Sequence, residues 1–358
     1  MQTVHPTAAL LMSHHSVKRK HCRMSQISNP ANPATINSLT GGKTPSGWIT
    51  THSASLAERG TVSRSIEHAY IVRHDDGTAS GVWGIYKLQS AFQPIFAFGN
   101  GKLSVTAFEG LIRPFRDGEP QSPVSFFNTC PTVDRLHIEA LTRTLHLLNA
   151  GACLPQEASI FINFDPSVFT DRSIADKALR DMRLVLHEAE IDASRVVCEV
   201  TEQKSASQET LYNFVEALRA NGFRIAVDDY GADESDINRI KELRPDIVKF
   251  DAHWVMQLME SGAGFALLTA MVASFEQQGI RTVFEGIEEG WQLELAEKSG
   301  ASMVQGFALA RPELAPTSFH VFGKDRQMPV TVPDAGEAPA TVSPSPRPKR
   351  AFGRKAVP

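Results

Sequence analysis

The chain has 358 residues, of which 42% are hydrophobic and 21% charged, a balance that supports a sizeable core and excludes disorder along its whole length. Its formal net charge of −4 excludes a strongly basic protein that wraps nucleic acid, and no apolar run reaches the ~20 residues of a membrane helix. The four cysteines are widely spaced and form no C-x-x-C pair, so neither a disulfide framework nor a zinc knuckle is expected. This cysteine usage fits a reducing, cytoplasmic location.

The two ends of the chain have the composition of tails. Residues 1–85 begin with a stretch rich in Ser, Thr, Asn, His and Pro, and residues 323–358 alternate Pro with small residues before a basic end. Such segments bury too little apolar surface to offset the entropy of ordering. We therefore expect 1–85 to be mostly disordered or weakly structured and 323–358 to be a disordered tail. Within the first segment, 70–72 fit a strand and 75–77 a turn.

Between the ends, eight short runs have the composition of strands. They are 92–98, 104–113, 159–164, 195–201, 223–229, 247–250, 280–285 and 303–309. Gly99-Asn100-Gly101 joins the first two as a tight hairpin, so that pair should be antiparallel. Segments of helical period separate most of the others, namely 132–149, 173–190, 211–218, 256–278 and 289–299. This α/β order predicts a TIM-type β/α barrel, with a doubly wound open sheet as the alternative that periodicity leaves open.

A barrel of this kind places its catalytic groups at the C-terminal ends of the strands. Each expected strand from the second onward carries a polar residue at or near that end. In chain order these residues are Glu109, Arg113, Asn163, Glu199, Glu202, Asp228, Asp229, Lys249, Asp251, Glu285, Glu288 and Gln305. One such residue is usually a helix cap or a paired ion, but a carboxylate or amide on nearly every strand indicates a shared site.

The oxygen ligands in this set suit a hard divalent cation, Mg²⁺ or Mn²⁺. The acidic residues exceed what one ion neutralises, so two ions are expected. Two ions flanking an in-line displacement are typical of phosphoryl chemistry. Lys249 and Arg113 would then hold phosphate oxygens.

Eight motifs in this order resemble the EAL-domain family, bacterial phosphodiesterases that hydrolyse cyclic di-GMP to linear pGpG. They are Gln93-Pro94-Ile95, Phe108-Glu109-Gly110-Leu111-Ile112-Arg113, Asn163, Glu199-Val200-Thr201-Glu202, Asp228-Asp229-Tyr230-Gly231, Lys249-Phe250-Asp251, Glu285-Gly286-Ile287-Glu288 and Gln305-Gly306-Phe307. The resemblance covers about 86–322 and implies a β/α barrel with one antiparallel strand. It also implies cyclic di-GMP as the partner and a possible homodimer, with neither polymeric nucleic acid nor a membrane span.

The resemblance also implies roles for the individual residues. The implied metal ligands are Glu109, Asn163, Glu199, Asp228 and Asp229, with Asp228 bridging two ions. Lys249 would orient the attacking water, and Glu285 would act as a base or hold a water molecule at the metal. The implied substrate contacts are Gln93, Leu111, Arg113 and Gln305. Residues implied to brace the ligands from behind are Glu202, Asp251 and Glu288.

Two short motifs in the chain mimic functional ones. Glu139-Ala140-Leu141 spells the family's name more closely than Glu109-Gly110-Leu111 does, but it lies within a helical period. We therefore expect Glu139 to be a solvated helix residue, and we take Gly110 in place of Ala as a mild change. Gly41-Gly42-Lys43-Thr44 lacks the earlier glycine and the preceding strand that a phosphate-binding loop needs.

The sequence departs from the family after Asp229, where the usual Phe-Gly-Thr-Gly-x-Ser-Ser is replaced by 230–236, Tyr-Gly-Ala-Asp-Glu-Ser-Asp. This change adds three carboxylates near the expected site of a dianionic substrate. Two hypotheses follow. The first is an active metal-dependent phosphodiesterase. The alternative is a catalytically weak or inactive module that acts as a cyclic di-GMP receptor or a protein-interaction domain. An unrelated barrel enzyme would need the motifs to coincide by chance.

Overall fold

The computed structural model describes residues 69–99, 101–169, 171–201, 208–232 and 237–321. Its strands are β1 (Ala69–Arg73), β2 (Ala79–Trp83), β3 (Tyr86–Gly99), β4 (Lys102–Arg116), β5 (Glu119–Pro120), β6 (Ser159–Phe164), β7 (Val196–Thr201), β8 (Arg224–Tyr230), β9 (Ile247–Phe250), β10 (Arg281–Phe284), β11 (Met303–Val304) and β12 (Glu313–Leu314). Its α-helices are α1 (Pro123–Thr129), α2 (Arg135–Cys153), α3 (Arg172–Glu188), α4 (Gln208–Ala220), α5 (Ile237–Leu243), α6 (Ala252–Met259), α7 (Gly262–Gln277) and α8 (Gly290–Ser299).

Eight of the strands close into a barrel. Their order is β3-β11-β10-β9-β8-β7-β6-β4, and β3 pairs with β4 to complete the ring. All neighbours from β4 through β11 run parallel, whereas β3 runs antiparallel to both β4 and β11. The predicted barrel with one antiparallel strand is confirmed, and the β3–β4 pairing excludes the open sheet. Gly99 pairs with Lys102, as a two-residue hairpin requires.

The barrel carries an additional hairpin at its N-terminal edge. β1 pairs with β2, and β2 pairs with β3 through Gly81 and Leu88. The expected strand and turn are present here, and the sheet begins at Ala69, within the segment 1–85 that was expected to be mostly disordered or weakly structured. Asn149 of α2 fixes the hairpin by accepting from the backbone N–H of Ala79 at 2.7 Å and donating to its carbonyl at 2.9 Å. The remainder of the predicted tails, 1–68 and 322–358, lies outside the described residues.

The helices lie where the helical periodicity predicts them, except that one predicted helix is divided into two. The expected helix 256–278 is two helices, because the Ser261 side chain accepts from the backbone N–H of Gly264 at 3.0 Å and starts α7 anew. Helices α1 and α5 have seven residues each and were not predicted from periodicity. Within the described part of the chain, no helix combines the length and the apolar character needed to span a bilayer.

The inside of the barrel contains an apolar layer to which each strand contributes. Its members are Ile95, Ala97, Ala107, Phe161, Val197, Ala226, Ile247, Val283 and Met303, all buried. A larger apolar cluster lies between the outer face of the strands and the helices. The barrel interior is therefore packed rather than open, and the apolar layer supports the residues that follow it along each strand.

Candidate active site

A polar layer lies two residues beyond the apolar layer on each barrel strand. Because side chains at i and i+2 of a strand point to the same side, the residue two positions along also faces the interior. In strand order around the ring this layer contains Gln93, Gln305, Glu285, Lys249, Asp228, Glu199, Asn163 and Glu109. On antiparallel β3 the polar residue precedes its apolar partner, and Gln93 lies directly opposite Glu109. Eight of the sequence-predicted polar residues therefore converge at one end of the barrel.

Lys249 lies at the centre of the polar layer. Its side chain is 1% exposed, and its Nζ is 2.5 Å from Glu199 Oε1, 2.7 Å from Glu285 Oε1 and 2.9 Å from Asp228 Oδ1. Glu109 Oε1 is farther away, at 3.8 Å. Four carboxylates thus surround a single ammonium group, which balances only part of their charge when all are ionised.

The pKa values of the polar layer are shifted by burial and by the close approach of its carboxylates to one another. Burial raises the pKa of Glu199 well above its ordinary value, and the carboxylates of Glu109 and Asp228 add to that rise against the opposing effect of Lys249. Burial likewise raises the pKa of Glu285 to about 8. Burial alone would lower the pKa of Lys249, but the surrounding carboxylates outweigh it and the pKa is raised well above normal. The layer therefore holds more acid than one lysine can compensate.

Buried oxygens in this layer fit a divalent cation. Glu199 Oε2 has no hydrogen-bond donor among the described residues, while Lys249 Nζ lies 2.5 Å from Glu199 Oε1. The same ammonium lies 2.9 Å from Asp228 Oδ1, so several buried carboxylate oxygens share one donor group. Buried carboxylate oxygens without donors are costly, and a cation that prefers oxygen ligands offsets that cost. The donor set therefore suits Mg²⁺ or Mn²⁺.

A second group of carboxylates adjoins the first. One oxygen from each of Asp228, Asp229 and Glu285 lies within 4.8 Å of the other two. Consecutive strand residues ordinarily face opposite sides, but Asp229 has a φ of +57°, and the pairing between β8 and β9 is irregular here. The left-handed backbone conformation of Asp229 brings both aspartates to the same rim of the barrel. The pair of carboxylates could hold a second ion that shares Asp228.

The two glutamines close the polar layer beside Glu109. Gln305 Nε2 donates to Glu109 Oε2 at 2.8 Å, and Gln93 Nε2 donates to the carbonyl of Ala310 at 3.2 Å. Both side chains are buried, at 4% and 8% exposed. Gln305 therefore fixes the orientation of a candidate metal ligand.

The three residues expected to brace the ligands are not brought to the polar layer by any described contact. Glu202 lies outside the described residues. Asp251 caps α6 by accepting from the backbone N–H of Trp254 at 2.8 Å. Glu288 is exposed, and its backbone N–H donates to Gln292. Their bracing roles stay predictions.

A cavity of about 360 Å³ opens beside the polar layer, between β4, β6, α1 and α2. Two predicted substrate contacts, Leu111 and Arg113, line it together with the candidate ligand Asn163. The Arg113 guanidinium is half-buried, which lowers its pKa, and its Nη1 donates to the carbonyl of Ile112 at 2.9 Å. A substrate held at the polar layer would therefore extend into this cavity.

Glu139 lines the same cavity, so the expectation that it is a solvated helix residue is wrong. It is 8% exposed, and its Oε2 lies 3.4 Å from Nη1 of Arg143. Arg143 is itself buried, with its guanidinium 4.6 Å from the centre of the Phe164 ring. An arginine four residues after a glutamate is the signal that indicates such a pair on a helix. Helix α2 is covered nearly all round, so its polar side chains are buried as well.

Gly110 is also more constrained than expected. A Cβ at this position would lie 2.9 Å from Cγ of His146, so the imidazole fills the space that an alanine needs. His146 Nδ1 is 3.0 Å from Ser90 Oγ. Burial, together with the charges of Arg113 and Arg143, lowers the pKa of His146 to about 3, so the ring is neutral at neutral pH. Substitution by Ala is therefore not mild in this chain.

Comparison with known proteins assigns these features to a family. A family model described as the EAL domain matches residues 86–312. Cyclic di-GMP phosphodiesterase RocR of Pseudomonas aeruginosa is 28% identical over 63% of this chain and 57% of its own length. Probable cyclic di-GMP phosphodiesterase PdeA of Escherichia coli is 26% identical over 50% of this chain and 24% of its own length. The chain thus spans between about a quarter and three-fifths of these relatives.

Solved structures agree with this match. Klebsiella pneumoniae BlrP1, in a calcium and cyclic di-GMP complex, is similar with a TM-score of 0.56 and 28% identity, covering 63% of this chain and 56% of that one. Bacillus subtilis YkuI, a protein with an EAL domain in complex with cyclic di-GMP and calcium, gives a TM-score of 0.56 and 26% identity over the same shares. A manganese complex of BlrP1 matches equally well.

Proposed function

The chain belongs to the EAL domain family, and from that membership we propose that its barrel is a metal-dependent phosphodiesterase that hydrolyses cyclic di-GMP to linear pGpG. The observation that carries the proposal is the polar layer, in which a buried lysine meets four carboxylates and Glu199 Oε2 has no hydrogen-bond donor among the described residues. Relatives named as cyclic di-GMP phosphodiesterases, and structures solved with cyclic di-GMP and calcium or manganese, support it.

The carboxylates and Asn163 would hold two divalent ions. One set of ligands is Glu109, Asn163, Glu199 and Asp228, and the other is Asp228 and Asp229 with Glu285 beside them. When bound, a pair of Mg²⁺ or Mn²⁺ ions would stabilise the charge that develops on the phosphoryl group and lower the pKa of water to near ~7. The number and identity of the ions are part of this proposal.

The other residues of the site position the reactants. Lys249 is held in place by its three closest carboxylates, which match the three N–H donors of its ammonium. When metal ions take up those carboxylates, an N–H group would be released to donate a hydrogen bond to the attacking water. Arg113 can bind a phosphate oxygen through N–H groups that Ile112 does not occupy, since a guanidinium has five of them. Gln305 holds Glu109 in place.

Turnover by the purified full chain tests the proposal directly. Cyclic di-GMP is incubated with Mg²⁺, with Mn²⁺ or with a chelator, and pGpG is measured by chromatography. We expect pGpG in the two metal reactions and none with chelator. Binding of cyclic di-GMP without pGpG at any metal concentration would instead support the receptor function.

The altered loop is the reason that turnover must be measured. Residues 233–236 lie outside the described residues, so the prediction rests on sequence alone. Restoring the family pattern with Ala232→Thr, Asp233→Gly and Asp236→Ser together is expected to raise turnover at low Mg²⁺, because two carboxylates that closely follow Asp229 in the sequence are removed. No gain at any Mg²⁺ concentration would mean that the loop does not limit the reaction.

The family resemblance also leads us to propose a homodimer and a cytoplasmic location. Both concern the whole protein rather than the barrel. Measuring the mass of the purified chain in solution, with and without cyclic di-GMP, tests the first.

A further inference from the structure

His146 of helix α2 lines the cavity beside the polar layer, although it is not among the residues assigned to the metal ions or to the substrate. Its imidazole packs against Gly110, where a Cβ would lie 2.9 Å from Cγ of the ring. The Phe92 ring packs against it edge-on, with 6.3 Å between the two ring centres. The side chain is 4% exposed, so the packing holds the imidazole in one place on the cavity wall.

A chain of hydrogen bonds leads from the N-terminal hairpin to this ring. Asn149 accepts from the backbone N–H of Ala79 and donates to the carbonyl of the same residue, so the backbone determines which end of the Asn149 amide is the oxygen. Nδ2 of Asn149 also donates to Ser90 Oγ at 3.0 Å, and Ser90 Oγ lies 3.0 Å from His146 Nδ1. Because an NH₂ group can only donate, the Ser90 hydroxyl accepts from Asn149 and has its own proton left for another partner.

The partner of that proton is Nδ1 of His146. Among the hydrogen bonds of the described residues, Nδ1 is the acceptor available to the buried Ser90 hydroxyl. His146 is neutral at neutral pH, because burial and the charges of Arg113 and Arg143 lower its pKa to about 3. A neutral imidazole carries one N–H proton, so a ring that accepts at Nδ1 has its proton on Nε2.

Nε2 is the polar atom that the ring offers to the cavity. No described residue forms a hydrogen bond with it, and it is not one of the polar atoms that the described residues enclose without a partner. Since His146 lines the cavity, the Nε2–H group is a donor open to a ligand. Its direction is set before a ligand arrives, so binding does not have to order it.

Arg113 indicates which ligand group this donor meets. It lines the same cavity, and its charge contributes to the lowered pKa of His146, so the two side chains are neighbours. Arg113 donates to the carbonyl of Ile112 through Nη1, which leaves other N–H groups of the guanidinium for a ligand. A guanidinium beside a neutral N–H donor suits an anionic oxygen, above all that of a phosphate.

We propose that His146 is a substrate-binding residue whose Nε2–H donates a hydrogen bond to a phosphate oxygen that Arg113 also binds. The inference rests on the proposed function, because it takes cyclic di-GMP as the ligand of the polar layer. Cyclic di-GMP has two phosphates, and with one of them at the metal ions the other is the phosphate that remains for this cavity. The hydrogen bonds from Ala79 to His146 keep the donor in place.

Two substitutions of His146 separate the donor from the packing of the ring. In His146→Gln the side-chain amide nitrogen takes roughly the place of Nε2, so a donor to the cavity is kept. In His146→Asn the side-chain oxygen takes roughly the place of Nδ1 and can accept from Ser90, but no group replaces Nε2. The affinity of the full chain for fluorescent cyclic di-GMP is measured in Ca²⁺, the ion present in two of the similar complexes.

We expect His146→Asn to weaken binding about 10-fold or more, as for loss of one hydrogen bond to a charged group, and His146→Gln to stay within about threefold of the wild-type affinity. The matched control is His187→Asn, because His187 is exposed in the last turn of α3, and it should bind as the wild-type chain does. Circular dichroism monitors folding. Equal losses in the two His146 variants, or none in His146→Asn, would overturn the assignment while the proposed function stands.

The phosphate contact is tested with diastereomers of cyclic di-GMP in which sulfur replaces a non-bridging phosphate oxygen. Sulfur accepts hydrogen bonds weakly, so the diastereomer with sulfur at this oxygen should lose more affinity for the wild-type chain than for His146→Asn. Comparing ligand and protein changes in one cycle isolates the contact, because the effect of sulfur at the metal ions is shared by both proteins. Equal losses in both proteins for every diastereomer would overturn the contact with phosphate.

The protonated nitrogen of His146 can be observed in the wild-type chain without any ligand. NMR spectra of a chain labelled with isotopic nitrogen in its histidines distinguish the two neutral tautomers, and the signals absent from His146→Asn belong to His146. We expect the proton on Nε2. A proton on Nδ1 would overturn the proposal whatever the ligand, whereas failure of the wild-type chain to bind cyclic di-GMP would overturn the proposed function and this inference together.

Discussion

Two layers of side chains fill the barrel, and they differ completely in character although only two residues separate them along each strand. Ile247 belongs to the apolar layer and Lys249 to the polar one, and Val283 and Glu285 repeat the pattern. Burial of the apolar layer stabilises the fold by about 25 cal/mol per Å² of apolar surface. The polar layer instead buries charges, which costs free energy unless they are paired.

The difference indicates that stability and chemistry are separated along the barrel axis. The apolar layer lies toward the amino ends of the parallel strands, and the polar layer lies at their carboxyl ends, where the loops can close over a ligand. The pleat of the strand supplies both layers from the same segments. Substitutions in the apolar layer should therefore change mainly stability, and substitutions in the polar layer should change mainly turnover and the response to metal ions.

Removing one charge from the polar layer should have the largest effect. Asp228→Asn keeps the volume of the side chain but removes the carboxylate that both candidate metal groups share. We expect turnover to fall by at least about 10²- to 10³-fold, as for loss of a single electrostatic group in other active sites, with the circular dichroism spectrum unchanged. The control is Asp192→Asn, because Asp192 is exposed and accepts a hydrogen bond from the backbone N–H of Ser194, away from the polar layer. Near-normal turnover by the Asp228 variant would contradict the two-ion site.

Substitutions of Glu109, in the polar layer, and of Glu139, just outside it, should also affect turnover and stability differently. Glu139→Ala leaves the buried Arg143 without its carboxylate, so the free energy of unfolding should fall by about 3 kcal/mol. Its turnover at saturating substrate should keep the wild-type metal dependence, since Glu139 is outside the polar layer. Glu109→Gln should lose turnover with a smaller change in stability. Denaturant titration measures the free energy of unfolding and kinetics measure turnover. Loss of turnover in the Glu139 variant but not in the Glu109 variant would contradict the strand register.

Metal ions should raise the stability of the protein through the polar layer, so substitutions in the apolar layer should not change that rise. At 100 times its dissociation constant, Mn²⁺ should add about 2.7 kcal/mol to the free energy of unfolding. Val283→Ala, in the apolar layer, should lower the melting temperature but keep the Mn²⁺-induced rise. Glu199→Gln should lose much of that rise, because a buried ligand oxygen is replaced by an amide. Scanning calorimetry with and without Mn²⁺ distinguishes the two layers, and equal rises in both variants would contradict the metal assignment.

The sequence predicted the barrel and its polar layer because both depend on local patterns. Strand composition, the hairpin after Gly99 and the polar residues at strand ends are readable within a few residues. The bulge at Asp229 was not readable, because its φ of +57° depends on how β8 pairs with β9. Two neighbouring aspartates in one site were expected from their place at a strand end and from the family resemblance, but the backbone geometry that brings both to one rim was not.

The cavity wall was missed for a different physical reason. Periodicity predicts one inner face for a helix, but α2 contacts several strands and α3 and is buried on several sides. Glu139 was therefore assigned to solvent. The N-terminal hairpin was missed in part because Asn149, which fixes it, lies 70 residues away from Ala79 in the chain. Contacts of this range cannot be read from local composition.

The smallest expected effect leaves both layers of the barrel intact. Gly110→Ala would install the residue usual in the family, but its Cβ would meet the His146 ring at 2.9 Å, so we expect a loss of about 1–3 kcal/mol in the free energy of unfolding. In a His146→Ala background the same substitution should cost close to nothing, because the ring is gone, and the two changes should couple by about 1 kcal/mol or more. Denaturant titration of the four proteins measures this coupling. Additive costs would mean that the imidazole does not limit this position, and that the cavity wall is as tolerant as the sequence alone suggested.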